Sequence, residues 1–163
     1  MAGKNTIVRS ISPKSVFEDA INVTSTTADF DQGDVMIFDD TNNVIRKPTT
    51  EAECATLLGI ARVSVIDGKM IGPYQGLTDA VPAIANLPGP VAGVIARMVA
   101  KTGDALAPGD LLYFDPATST RGVTVSGTKA IGVYQGPTIA SAAAGQEVEV
   151  FIGHRFPADS LKF

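Results

Sequence analysis

Residues 20–39 read AINVTSTTADFDQGDVMIFD, and residues 96–115 read ARMVAKTGDALAPGDLLYFD. Aligned without a gap at an offset of 76 positions, the two stretches are identical at 7 of 20 positions. The identical pairs are Ala20/Ala96, Val23/Val99, Thr26/Thr102, Gly33/Gly109, Asp34/Asp110, Phe38/Phe114 and Asp39/Asp115. In both stretches a polar turn with glycine and aspartate leads into a short apolar run, as a β-hairpin requires. The repeat predicts a β-structured module made of two similar halves, with no catalytic residue in the part that repeats.

Short strands separated by turns are predicted along the rest of the chain. The segment EVEVFI at residues 147–152 alternates strictly, which places Val148, Val150 and Ile152 inward and places Glu147, Glu149 and Phe151 outward. Sixteen glycines and ten prolines suit a chain with many turns. We therefore expect an all-β fold, either a jelly-roll-like sandwich or a β-tulip or barrel.

The pattern also predicts particular elements between the two repeated stretches. Residues 50–58, TEAECATLL, are the one helix expected, because Thr50 is a suitable N-cap and Glu53 follows three residues later as in a capping box. Residues 57–66 and residues 91–100 are each expected to form one continuous strand.

The predicted organisation has three parts. Residues 1–19 are polar with scattered β-branched side chains, which indicates an extended N-terminal arm. Residues 20–153 are expected to form a single β domain that contains the duplication, and residues 154–163 a C-terminal tail.

The composition limits the possible partners. The chain has 163 residues, 45% hydrophobic but only 18% charged, against roughly 25% charged in typical soluble domains. A small protein with so little charge is expected to cover part of its surface with copies of itself or with a partner. The net charge is −4 and lysine and arginine do not cluster, so neither nucleic acid nor an anionic membrane is expected as a partner. The N-terminus, MAGKNTIVRS, has no apolar signal region, so synthesis in the cytoplasm is expected.

No set of residues in the sequence indicates catalysis, a metal or a cofactor. His154 is the only histidine and is expected to be a surface or interface residue, and Cys54 is expected to be a small buried residue. An acidic cluster raises the possibility of calcium, but its spacing differs from that of an EF-hand loop, and a turn-capping role is favoured. The cluster consists of Asp29, Asp31, Asp34, Asp39 and Asp40. We therefore expect that the protein is not an enzyme.

A non-catalytic binding module, for example one that binds carbohydrate, is the alternative. Its ligand would lie near Tyr74, Tyr113 and Tyr134, since sugar-binding faces use aromatic rings as platforms. The chain has no tryptophan and only these three tyrosines, which weakens this alternative.

Three motifs in the second half resemble the capsid cement, or decoration, proteins of tailed bacteriophages. They are ALAPGDLLYFD at residues 105–115, KAIGVYQG at residues 129–136 and the closing strand VEVFI at residues 148–152. The similarity is clearest over residues 91–152, and the repeat extends it weakly to residues 20–66. The longer N-terminal half departs from the single β unit of the family's small members.

The resemblance implies a structural virion protein that stabilises the phage head. Such a protein binds the outer surface of the capsid and bridges neighbouring subunits of the major capsid protein, with no catalytic residues. A homo-oligomer is expected, with a trimer favoured over a dimer. The residues expected to contact the capsid or other copies are Ile7, Val8, Ile11, Phe151, Phe156 and Phe163.

Overall fold

The computed structural model describes residues 14–15, 29–42, 44–62, 64–66, 69–71, 81–82, 90–155 and 160–163. These residues form thirteen strands and one 3₁₀ helix, Glu51–Thr56. The strands are β1 (Lys14–Ser15), β2 (Val35–Asp39), β3 (Val44–Arg46), β4 (Leu57–Ile60), β5 (Ser64–Ile66), β6 (Lys69–Ile71), β7 (Val81–Pro82), β8 (Val91–Ala92), β9 (Val94–Ala100), β10 (Leu111–Phe114), β11 (Gly122–Thr124), β12 (Ala130–Tyr134) and β13 (Glu147–Ile152).

The strands form three sheets. The first half of the chain contributes a five-stranded sheet in the order β1-β8-β4-β2-β3 and a small sheet in the order β5-β6-β7. The second half forms a closed barrel in the order β10-β11-β9-β13-β12. The predicted all-β class is confirmed, and of the architectures that the sequence left open the second half adopts the barrel.

The five-stranded sheet and the barrel share one strand order. In the first half, β2 lies between β3 and β4, β4 pairs with β8, and β8 pairs with β1. In the second half, β10 lies between β11 and β12, β12 pairs with β13, and β13 pairs with β9. All of these pairings are antiparallel. The small sheet is an insertion between the fourth and last strands of the first half. In the second half, β9 also pairs in parallel with β11, and this pairing closes the barrel. The two repeated stretches thus provide equivalent strands, β2 in the first half and β10 in the second half.

An irregularity in the strand pairing recurs at the same place in both halves. The register between β2 and β4 shifts at Met36/Ile37, and the register between β10 and β12 shifts at Leu112/Tyr113, 76 positions later. A glycine lies opposite each shift, Gly59 and Gly132. A Cβ at Gly132 would lie 2.5 Å from the carbonyl oxygen of the next strand, and one at Gly59 would collide with the equivalent strand. Only glycine permits this approach.

One buried apolar cluster contains residues from both halves. Val35, Cys54, Leu57 and Ile60 of the first half belong to it together with residues of the barrel. The barrel residues are Met98, Ala100, Leu106, Leu112, Phe114, Val123, Ile131, Tyr134, Ala142, Val148, Val150 and Ile152. The alternation predicted for residues 147–152 is confirmed, since its three inward residues are buried and its two glutamates are exposed.

The helix expected within residues 50–58 is present but shorter. It is a 3₁₀ helix of six residues, and residues 57 and 58 belong to β4 instead. The Glu53 part of the capping box is present, because Oε2 of Glu53 accepts a hydrogen bond from the backbone N–H of Thr50 at 3.1 Å. Leu57 and Leu58 are buried in the apolar core, and this burial outweighs their helical propensity.

Two strands predicted as continuous are broken. The strand expected at residues 57–66 is two strands in different sheets, because Ala61 leaves the ladder to exchange hydrogen bonds with the turn at Gly33 and Asp34. The strand expected at residues 91–100 is interrupted at Gly93, which has a φ of +73°. Each break redirects the chain from one sheet to the next.

The predicted arm and tail are described only in part. Lys14 and Ser15 of the arm pair with Ala92 and Val91 and so form the edge of the first sheet. In the tail, the backbone of Lys162 exchanges hydrogen bonds with that of His154 at 2.8 Å. The described end of the chain thus folds back along the barrel. No helix among the described residues is long and apolar enough to cross a membrane.

Candidate interaction surface

An apolar row crosses four strands on the outside of the barrel. Leu111 of β10 pairs in register with Val133 of β12, Val133 pairs with Phe151 of β13, and Phe151 pairs with Ile95 of β9. Residues that are directly opposite in antiparallel strands project from the same face, about 4.5–5.5 Å apart at Cβ. These four residues, which we call the barrel row, therefore form one continuous apolar strip.

The barrel row is accessible to solvent in this chain. Ile95 is 60% exposed and Leu111 48% exposed, while Val133 and Phe151 are half-buried. Three large exposed apolar side chains, counting Phe163 at 41%, thus lie on or beside the row on the outside of the barrel. Single exposed leucines are ordinary, but a contiguous exposed strip on a small protein indicates an interface.

Phe163 extends the row beyond the sheet. Its ring stacks on that of Phe151, with the centroids 5.0 Å apart and the planes inclined by 8°. Leu161, two residues earlier, packs against the buried cluster and holds this segment on the barrel. Phe151 and Phe163, both predicted contact residues, are therefore brought together. The other predicted contact residues, Ile7, Val8, Ile11 and Phe156, lie outside the described residues.

Charged side chains border the row on the same face. Arg97 follows Ile95 by two positions along β9, and Glu149 precedes Phe151 by two positions on β13, directly opposite Arg97. Further along, Nη1 of Arg97 lies 3.9 Å from Oε2 of Glu147. An apolar centre with a rim of both charge signs is the usual anatomy of a protein–protein interface.

The sequence prediction missed Ile95, Leu111 and Val133. Leu111 stands in the apolar run that follows the repeated turn, where Leu112 is buried and Leu111 is exposed. Ile95 could have been identified from the sequence. Side chains alternate between the two faces along residues 95–100, which places Ile95 on the same face as the charged Arg97.

Cys54 is buried in the core, as expected. Its side chain is 0% exposed, and burial raises the pKa of the thiol to about 12, with a further contribution from Glu51 and Glu53. A thiol with this pKa is protonated at neutral pH and is a poor nucleophile. His154, half-buried, pairs through its backbone with Lys162 and lies in the tail that covers the barrel.

Two aspartates of the acidic cluster, Asp34 and Asp39, act within turns, as favoured. Oδ2 of Asp34 accepts a hydrogen bond from the backbone N–H of Asp31. Oδ1 of Asp39 accepts from the backbone N–H groups of Thr41 and Asn42. The hydrogen bond from Arg46 holds the pKa of Asp39 well below its usual range. Among the described residues, no three histidine, cysteine, aspartate or glutamate side chains are placed to hold a metal ion.

The two described tyrosines, Tyr113 and Tyr134, do not form an exposed platform. Tyr134 is 1% exposed, and its hydroxyl donates a hydrogen bond to the carbonyl oxygen of Pro137 at 2.6 Å. A buried ring cannot stack on a sugar, so placing a ligand at Tyr134 was wrong. Tyr113 is half-buried, and Tyr74 lies outside the described residues.

No protein-family model matches the chain, and no curated protein matches it.

Proposed function

We propose that this protein is a structural component of a virion that binds the outer surface of a tailed-bacteriophage capsid. It cements neighbouring subunits of the major capsid protein and stabilises the head. Synthesised in the host cytoplasm, it becomes part of the outer capsid surface. The observation that carries the proposal is that the motifs resembling cement proteins provide β10, β12 and β13, whose outward residues contribute three of the four members of the barrel row.

The chemistry of the surface supports a permanent structural role. Apolar strips with mixed-charge rims suit interfaces that form once and remain buried. The low charge content of the chain fits a protein that remains bound within an assembly. Because contacts repeat around an icosahedral shell, modest individual affinities add up to strong attachment through multivalency.

The oligomer and the arm have separate roles in this proposal. Copies associate into a homotrimer, or a dimer, and residues 1–19 contact the capsid. Lys14 and Ser15 add a strand at the edge of the first sheet, next to β8. In this proposal the residues before them, which include Ile7, Val8 and Ile11, add apolar contacts to a capsid subunit.

Co-sedimentation with capsid shells tests the proposal. Purified protein is mixed with mature shells that lack a decoration protein, assembled from the major capsid protein of the same genome. Saturable binding of the full-length chain is expected. A truncation that removes residues 1–13 and keeps β1 is expected to bind more weakly, as is a full-length variant with Ile7, Val8 and Ile11 replaced by serine.

A matched control separates loss of apolar contact from disturbance of the arm. Replacing the polar arm residues Asn5 and Thr6 by serine is expected to leave binding unchanged. If the full-length chain does not pellet with shells at any concentration tested, the capsid role is excluded. If it binds equally well without residues 1–13, the arm is not the anchor.

A further inference from the structure

The barrel row has an equivalent in the first half of the chain. Three of its four residues match apolar residues of the first half through the same cross-strand pairs, and the fourth, Ile95, matches Ser15. Leu111/Val133 corresponds to Val35/Ile60, and Val133/Phe151 corresponds to Ile60/Val91. The duplication has therefore placed one apolar strip on each half.

The two strips differ in burial. Val35 is 1% exposed and Ile60 9% exposed, and both belong to the buried cluster that also includes residues of the barrel. Val91 packs against the same cluster. Leu111, at the position of Val35, is 48% exposed. In the first half the chain buries this apolar strip with its own residues, whereas in the second half the equivalent strip is exposed to solvent.

The rim indicates which kind of partner covers the bare strip. It carries an arginine, Arg97, together with two glutamates, Glu147 and Glu149, opposite or beside it. A partner surface of one charge sign would repel either the arginine or the glutamates of this rim. A second copy of the same face instead offers glutamates to Arg97 and an arginine to Glu147 and Glu149. Such self-complementarity is what a two-fold contact between identical subunits requires, so it fits the dimer of the two oligomers considered.

We infer that the barrel row is the surface at which copies of this chain meet, with the rows of neighbouring copies packed against one another around a symmetry axis. The inference rests on the proposed function for the expectation of an oligomer and adds the residues at which the copies join. Ile95 and Leu111, at the two ends of the row, lose the most solvent exposure on association. Phe163 on Phe151 adds an aromatic anchor between them.

Sedimentation equilibrium of the full-length protein and three single variants tests this inference. Ile95→Lys and Leu111→Lys place a charge in the row. Val125→Lys is the matched control, because Val125 is also an exposed apolar residue, at 37%, but follows β11 and is not a member of the row. Thermal midpoints within about 2 °C of the wild type show that each variant is folded.

The wild type and Val125→Lys are expected to be oligomers of equal stability. Ile95→Lys and Leu111→Lys are expected to weaken association by about 30-fold or more, because each places a charge on an apolar side chain that becomes buried in the contact. A wild-type protein that remains a monomer at about 100 μM overturns the inference. An oligomer that both row variants leave intact overturns it as well.

Shell binding by the same proteins keeps the two proposals apart. A wild-type oligomer that does not bind shells retains the self-association surface and removes the capsid role. A wild-type monomer whose binding to shells is lost in Ile95→Lys supports the capsid role, assigns the row to a capsid subunit and overturns the self-association surface.

Discussion

Asp34 and Asp110 cap the same turn in the two halves of the molecule. Oδ2 of Asp34 accepts a hydrogen bond from the backbone N–H of Asp31 at 2.9 Å, and Oδ2 of Asp110 accepts one from the backbone N–H of Ala107 at 2.7 Å. The two sites differ in burial. Asp34 is 2% exposed, and Nζ of Lys47 lies 3.7 Å from its Oδ2, whereas the hydrogen bond of Asp110 is exposed.

Replacing these aspartates should therefore have unequal effects. We expect Asp34→Ala to lower the free energy of unfolding by about 2–3 kcal/mol, because it removes a buried acceptor, and Asp110→Ala by about 1 kcal/mol. Urea denaturation followed by circular dichroism measures both. Asp34→Asn, which keeps an acceptor and loses the charge, should fall between Asp34→Ala and the wild type. Equal losses for the two alanine variants would contradict the role of burial.

The carboxylate of Glu51 links the two halves of the molecule through hydrogen bonds. Oε1 of Glu51, in the 3₁₀ helix, accepts hydrogen bonds from the backbone N–H groups of Thr128, at 2.8 Å, and Lys129, while Oε2 accepts from Oγ1 of Thr128 at 3.1 Å. We expect Glu51→Ala to lower the free energy of unfolding by about 1–2 kcal/mol, because hydrogen bonds to a charged group are stronger than neutral ones.

Glu147→Ala is the matched control for Glu51→Ala. Glu147 is exposed and its ion pair with Arg97 is long, at 3.9 Å. Such surface pairs contribute little, so a change of less than about 0.5 kcal/mol is expected in the same urea experiment. If Glu51→Ala costs no more than Glu147→Ala, the connection between the halves does not depend on this carboxylate.

The stability of the protein should fall in acid through Glu53. A hydrogen bond of 2.6 Å from Nη2 of Arg46 outweighs the effect of burial and lowers the pKa of Glu53 from 4.5 to about 2. Because the pKa is lower in the folded chain than in the unfolded chain, this contribution is complete above about pH 4.5 and is lost as the pH falls toward about 2. The thermal midpoint measured across this range should drop steeply.

Two arginine variants isolate the source of this acid sensitivity. Arg46→Gln removes the partner of Glu53 and of Asp39, so its thermal midpoint should depend less on pH between about 4.5 and 2 than that of the wild type. Arg97→Gln removes an arginine whose side chain is 74% exposed and should keep the wild-type dependence. An unchanged slope in Arg46→Gln would show that the acid sensitivity arises elsewhere.

Cys54 should react only when the chain unfolds. Its thiol is fully buried and its pKa is raised to about 12, so reaction with a thiol reagent at pH 8 requires opening of the core. Absorbance assays should show labelling of the native protein at least about 1000-fold slower than of the protein in urea. Val125→Cys, with an exposed thiol as control, should label at once. Rapid single labelling of the native wild type would contradict the burial.

The sequence anticipated part of the candidate surface. Phe151 was assigned outward from the alternation of residues 147–152, and Phe163 was named as an apolar anchor. Ile95 and Leu111 were missed, because neither residue is unusual within its own strand. They become part of a surface only through the register that aligns β10, β12, β13 and β9, which depends on residues far apart in the chain.

The sequence alone determined the features that depend on near neighbours. Turns at Gly33 and Gly109, the all-β class and the inward face of β13 follow from local stereochemistry and from the two-residue period of a strand. Tertiary structure decided the rest. The break after Ile60, the parallel pairing that closes the barrel and the burial of Val35 while Leu111 stays exposed all arise from long-range packing. Two related stretches of sequence therefore acquire different environments, because only the folded chain places one of them against the common core.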